Sequence, residues 1–211
     1  FTVVGRGVGL VVGCSTFPTW NTYPGMFASL VTGNPVVVKP HPAGILPAAI
    51  SIKIAQEVLV ENGLPAHLVS MVIDEDATKP CTMELAQRDE VRLIDFTGNT
   101  WFGDWLENNC PQAQVYTEKA GVNTIVIDST DDFKGMVRNL SFTLSLYSGQ
   151  MCTTPQDIFV PAGGIETDLG HKSFDEVAEA ISTGVTKFLS DPERAAMVLG
   201  AIQAPVTAQR I

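Results

Sequence analysis

Cys152 stands in the stretch SLYSGQMCTTPQ, residues 145–156, between a Gly-Gln step and two threonines. A cysteine thiolate attacks carbonyl carbon and splits one hard step into two easier ones. Glu118, in VYTEKAGVN, is a carboxylate at the end of a β-rich run. Its charge would not activate a thiol, because like charges oppose ionisation; deprotonating a water suits it better. Asn21, in FPTWNTYPG, carries an amide that can donate to a developing oxyanion. Lys39, in VVVKPHP, offers an ammonium to ribose hydroxyls or phosphate. In IDFTGNTWFGDWL, Gly98 and Gly103 bracket a helix start, whose free N–H groups and dipole favour a pyrophosphate. Each feature also has a plainer reading: a small buried Cys, a turn Asn, an exposed Lys or Glu, a tight strand-to-helix turn.

The elements that must position these side chains follow a regular rhythm. Apolar runs rich in Val and Ile at 7–14, 34–40, 68–74 and 91–98 alternate with helical patterns at 25–33, 46–63 and 81–89. That alternation predicts an α/β fold with a Rossmann-type parallel sheet covered on both faces. The clearest helix is 46–63: Ile50, Ile54, Val58 and Leu59 share a face, Pro47 sits near the first turn and Gly63 closes the end. Runs at 113–118 and 123–128 precede a long helix from about residue 131 to 147 and a second over 173–191. Asn21, Lys39, Gly98 and Glu118 then fall at carboxyl ends of strands, where such sheets bind ligands. The glycines at 5, 7, 9 and 13 imitate a dinucleotide fingerprint, but they precede a strand where that motif needs a helix. A change of rhythm near residue 118 marks the expected boundary between units 1–118 and 119–211.

Composition narrows the classes. The chain has 211 residues, 45% hydrophobic and 17% charged, a globular balance. A net charge of -10 argues against a nucleic-acid partner, which requires clustered cations. No run of eighteen apolar residues appears, so the sequence is read as excluding a membrane span. The four cysteines lie far apart, without a CxxC pair or a His at ligand spacing, so no metal site and reduced thiols in a cytoplasmic protein are expected. The start FTVVGRG and the end APVTAQRI give the expectation of an internal fragment of a longer chain.

Taken in order, Thr-Trp-Asn, Val-Val-Lys-Pro, Phe-Thr-Gly-x-Thr-x-x-Gly, Glu-x-x-Gly and Gly-Gln-x-Cys resemble the signature series of the aldehyde dehydrogenase superfamily. The stretches 7–21 and 145–156 look most similar to the branch associated with phenylacetic acid degradation. The resemblance implies a dinucleotide-binding domain over 1–118 and the front part of a catalytic α/β domain over 119–211. It implies NAD(P)-dependent oxidation of a small-molecule aldehyde to the acid by a protein that forms homo-oligomers. Cys152 would be the nucleophile, forming a thiohemiacetal and then a thioester, and Glu118 would activate the hydrolytic water. Asn21 and the Cys152 backbone N–H would hold the oxyanion. Lys39 would hold the adenosine ribose, Trp20 and Asn99 would lie along the pyrophosphate, Gly98 would let the backbone approach it, and Gly121 would keep space near the nicotinamide.

Departures from the pattern carry their own expectations. Asn99 replaces the usual serine, and Lys119-Ala120 replaces the usual Leu-Gly after the glutamate. Pro42 stands where many NAD-preferring members have an acidic residue, so NADP is expected to be tolerated or even preferred. Two rival readings remain: a coenzyme A-acylating dehydrogenase, against which Glu118 leans, and a non-catalytic cofactor-binding fragment.

Overall fold

The computed structural model of the chain describes residues 1–74, 80–200 and 209. They form two compact units, Phe1–Ala120 and Gly121–Ile211. The first is built on strands β1 (Val8–Val12), β2 (Val36–Lys39), β3 (Val69–Met71), β4 (Val91–Thr97) and β5 (Gln114–Glu118). All four pairings are parallel, in the order β3-β2-β1-β4-β5. Helices α1 (Tyr23–Val31), α2 (Ile45–Glu61), α3 (Thr82–Ala86) and α4 (Thr100–Asn109) supply the crossovers. The expected α/β class with a parallel sheet is what the chain adopts.

The pleat sends alternate residues of β1 to opposite layers. Leu10 and Val12 join Val91, Ile94, Phe96, Ala86 and Leu106, the layer under α3 and α4. Val11 joins Met26, Val36, Val38, Ile52 and Val69, the layer under α1 and α2. Each fully buried Val or Leu contributes roughly 1.5–3 kcal/mol. Two-sided burial explains why these strands read as unbroken apolar runs. The glycines of GRGVG lie before and at the start of β1, at the amino edge. A Cβ on Gly9 would sit 2.7 Å from Ser29 Oγ, so this glycine lets α1 close on the sheet.

Helix α2 turns a different face to the sheet from the one that carries Ile50, Ile54 and Val58. Ala48 and Ile52 are its buried residues, with Leu59 packed partly against the same layer. Ile50, Ile54 and Val58 are 52%, 55% and 50% exposed. The helix is apolar on most sides, so helical spacing alone allows more than one inward face; the small Ala48 permits the closer approach. The exclusion of a membrane span is corrected: Pro42–Glu61, with a mean hydropathy of 1.5, has the length and composition of one. Here its Ile52 side packs toward β2 and β3.

The second unit pairs β6 (Asn123–Val126) in parallel with β8 (Pro155–Phe159), and β7 (Ser129–Thr130) with β9 (Glu166–Thr167). Helices α5 (Phe133–Ser145) and α6 (Phe174–Leu189) bury Phe133, Leu140 and Val177 with Ile127 and Ile165. A capping box starts α6: Ser173 accepts from the Glu176 N–H and Glu176 accepts from the Ser173 N–H. The Ser173 bond first, then the Lys172 ammonium, pull the Glu176 carboxyl down to about 2. The strands β7, β8 and β9 and the short α7 (Pro192–Val198) lie in segments whose residue pattern predicts no strand or helix.

Candidate active site

Within the first unit, the sheet's order reverses at β1: β2 and β3 extend to one side, β4 and β5 to the other. Ligands of open α/β sheets bind outside the carboxyl ends of the strands at such a switch point. The loop after β1 carries Trp20, which is 71% exposed, and Asn21. Asn21 Nδ2 donates to Thr97 Oγ1 at the end of β4 over 3.4 Å, and its Oδ1 accepts from the Cys14 thiol at 2.9 Å. Thr97 is the register partner of Glu118 on β5. Its hydroxyl donates to Glu118 Oε2 over a long 3.5 Å, so a line of polar groups crosses three strand ends. Thr97 lies within the IDFTG stretch, but only strand pairing reveals its neighbours.

Beneath this line, Asp95 of β4 lies against α1, where a Cβ on Gly25 would come 2.5 Å from its Oδ2. Burial first, and the charge of Glu118 second, push the Asp95 carboxyl above its ordinary range. Glu118 is exposed at the end of β5. The next residue, Lys119, turns to α4 and bonds Asp104 at 2.6 Å and Glu107 at 2.7 Å. Gly103 makes room for it: a Cβ there would meet Lys119 Cγ at 2.8 Å.

Asn99 is the N-cap of α4, its side chain accepting from the Phe102 N–H at 2.8 Å. Gly98 donates its N–H to the Glu118 carbonyl at 3.0 Å, and a Cβ there would strike the Phe96 ring at 2.6 Å. Its bareness therefore already serves the protein's own packing. Lys39 closes β2 with its side chain 11% exposed, and its Nζ lies 2.8 Å from Asp74 Oδ2. It is not the free ammonium that an exposed strand end would show. The signal missed in the sequence was the acid ending the 68–74 run.

The second unit holds Cys152 and Gly121. Of the four cysteines, Cys152 is exposed, Cys14 and Cys81 intermediate and Cys110 buried. Cys152 sits in the turn before β8, where the Asn123 side-chain nitrogen at the start of β6 donates to the Cys152 carbonyl. Ahead of it, Tyr147, Ser148 and Gly149 take φ values of 51°, 58° and 70°, a left-handed turn that non-glycine residues adopt at a cost. That turn ends α5 sharply and leads the chain to Cys152. Beyond its two chain neighbours, nothing lies within 4 Å of where a Cβ on Gly121 would stand. Asn123 went unnoticed in the sequence because its partner is a backbone carbonyl. A groove of about 1090 Å³ beside α5 and α6, lined by Val137, Ala180, Lys187 and Phe188, contains none of the candidate residues.

The donor set of the first unit fits a dinucleotide. It offers a cation with an acid at the end of β2, amide side chains at the switch point and an exposed indole in the loop after β1. Among the described residues no group of three or more His, Cys, Asp or Glu is placed to hold a metal.

Comparison with known proteins agrees with this architecture. A solved NAD-dependent aldehyde dehydrogenase from Burkholderia multivorans superimposes with a TM-score of 0.92 at 56% identity, over 98% of this chain and 37% of that one. An NADP-dependent glyceraldehyde-3-phosphate dehydrogenase from Bacillus halodurans, solved with NADP, superimposes at 0.68 with 25% identity, over 88% of this chain and 35% of that one. The 1-pyrroline-5-carboxylate dehydrogenase of Bacillus subtilis is 26% identical over 196 residues, 89% of this chain and 35% of that protein. The chain thus spans about a third of the length of these relatives. The profile of the aldehyde dehydrogenase family matches residues 4–209, nearly the whole sequence. With that match added to the fold and the strand-end side chains, the chain belongs to the aldehyde dehydrogenase family.

Proposed function

We propose that this chain is the cofactor domain and the front of the catalytic domain of an NAD(P)-dependent aldehyde dehydrogenase. The observation that carries the reading is the polar line Asn21–Thr97–Glu118 at the sheet's switch point. The exposed Cys152, on a turn tied down by Asn123, adds an accessible nucleophile. Lys39, Trp20 and Asn99 would hold the dinucleotide. When bound, a nicotinamide dinucleotide supplies the acceptor for the aldehyde's hydride.

The chain's own residues do the rest. The Cys152 sulfur adds to the aldehyde carbon, and the Cys152 N–H steadies the resulting oxyanion, a role that the family resemblance also gives to the Asn21 amide. Once hydride has left that carbon, a thioester remains on Cys152. Glu118 takes a proton from water, and the oxygen adds to the thioester carbonyl. Collapse expels the Cys152 thiolate and releases the acid. An acylating enzyme would hand the acyl group to coenzyme A instead; the carboxylate at 118 favours water.

The substrate branch rests on the stretches 7–21 and 145–156, which make phenylacetaldehyde the first aldehyde to try. A cytoplasmic homo-oligomer is the proposed setting. The test is mass spectrometry of the intact protein mixed with aldehyde and either cofactor. An acyl adduct on the Cys152 peptide, absent in Cys152→Ala, is expected. Turnover retained in Cys152→Ala would overturn the proposal, and acyl-CoA as the product would replace it with the acylating reading.

A further inference from the structure

The Lys39–Asp74 pair lies on the side of the sheet away from the Asn21–Thr97–Glu118 line. Lys39 ends β2; Asp74 follows β3, the neighbouring strand. The two side chains are 11% and 7% exposed and meet at 2.8 Å. Asp74 Oδ1 also accepts from the Cys81 N–H at 2.8 Å, which fixes the carboxylate's orientation. Burial works against its ionisation, but the bonds from Lys39 and Cys81 outweigh burial and hold its carboxyl below the ordinary range. His41, on the loop after β2, is pushed down first by burial and then by Lys39, so it is neutral at pH 7. Its Nδ1 accepts from the Ala43 N–H. Lys39, Asp74 and a neutral His41 therefore sum to no net charge.

In doubly wound sheets an acid at this edge accepts from the ribose 2'-hydroxyl of NAD, whereas a 2'-phosphate needs an unmatched cation. We propose that Asp74 sets the choice between the two cofactors, neutralising Lys39 and disfavouring a 2'-phosphate, so that NAD is preferred. This rests on the dinucleotide reading of the first unit and reverses the preference for NADP that Pro42 alone would imply. The missing carboxylate at position 42 is made good by an acid from the next strand, which no local motif announces.

Calorimetric titration of the intact protein with ADP-ribose and with 2'-phospho-ADP-ribose tests this without any turnover. Wild type is expected to favour ADP-ribose by about tenfold or more, the scale of one missing charge–charge attraction at short range. Asp74→Asn keeps the acceptor for the Cys81 N–H but frees the Lys39 charge, and should shrink the ratio by about tenfold. If that variant does not fold, Asp74→Ser removes the same charge with a smaller side chain. An equal ratio in wild type and variant, with ADP-ribose still bound, overturns the role of Asp74 and leaves the cofactor site standing. Failure of both ligands to bind wild type sinks the dinucleotide reading and the proposal with it.

Discussion

Asn21, in the loop after β1, reaches Thr97 at the end of β4 over 3.4 Å, and Thr97 in turn reaches Glu118. The contact spans the point where the strand order reverses. An amide held this way has its oxygen occupied by the Cys14 thiol and its nitrogen aimed along the carboxyl edge of the sheet.

Thr97→Val keeps the shape of the β4 end and removes that bridge. A neutral hydrogen bond contributes about 0.5–1.5 kcal/mol, so kcat of the intact enzyme should fall about 2- to 10-fold. The melting temperature should move little, because both ends of the bridge remain partly solvated. Steady-state kinetics beside a thermal melt will separate the two; unchanged kcat would remove Thr97 from the site.

The thiols should differ in reactivity. Cys110 is 1% exposed and burial pushes its pKa up; Cys81 is pushed up by burial first and by Asp74 second. With Cys152 exposed, iodoacetamide at neutral pH should label its peptide at least about tenfold faster than that of Cys110. Timed alkylation with peptide mapping measures this. Equal rates at all four would favour an inert cofactor-binding module.

Asp95 gives a pH signature of known sign. Its folded carboxyl is raised above the ordinary 3.8 by burial and then by Glu118. An acid raised on folding favours the folded state while protonated, and that contribution is lost as pH rises through the folded pKa. Asp95→Asn should therefore be more stable than wild type at pH 7, with the gap closing toward pH 3. Denaturant titrations at several pH values check it, and parallel curves for the two proteins would refute it.

Gly9→Ala should destabilise by about 1–3 kcal/mol, the usual cost of forcing a methyl group into a packed layer. Its new Cβ would face Ser29 Oγ at 2.7 Å, so either α1 or β1 must shift. For a chain of this size that is about 2–4 °C in melting temperature per kcal/mol, readable by calorimetry. A variant as stable as wild type would show that α1 has room to spare.

The order of strands and helices could be read from residues 7–118 because local forces dictate it. A buried parallel strand must be apolar on both faces, and its crossover must be a helix. The same logic placed Asn21, Lys39, Gly98 and Glu118 at carboxyl strand ends, and the series of short motifs named the family. What the sequence could not determine is which groups from distant segments touch. Asp74 meets Lys39, Thr97 links Asn21 to Glu118, and Asn123 holds the Cys152 carbonyl. Nor did periodicity choose between the apolar faces of α2, where Ala48 and Ile52 turned inward and Ile50, Ile54 and Val58 outward. Spacing along one chain sets a helix or a strand; only the register between strands and the depth of helix packing decide what each side chain meets.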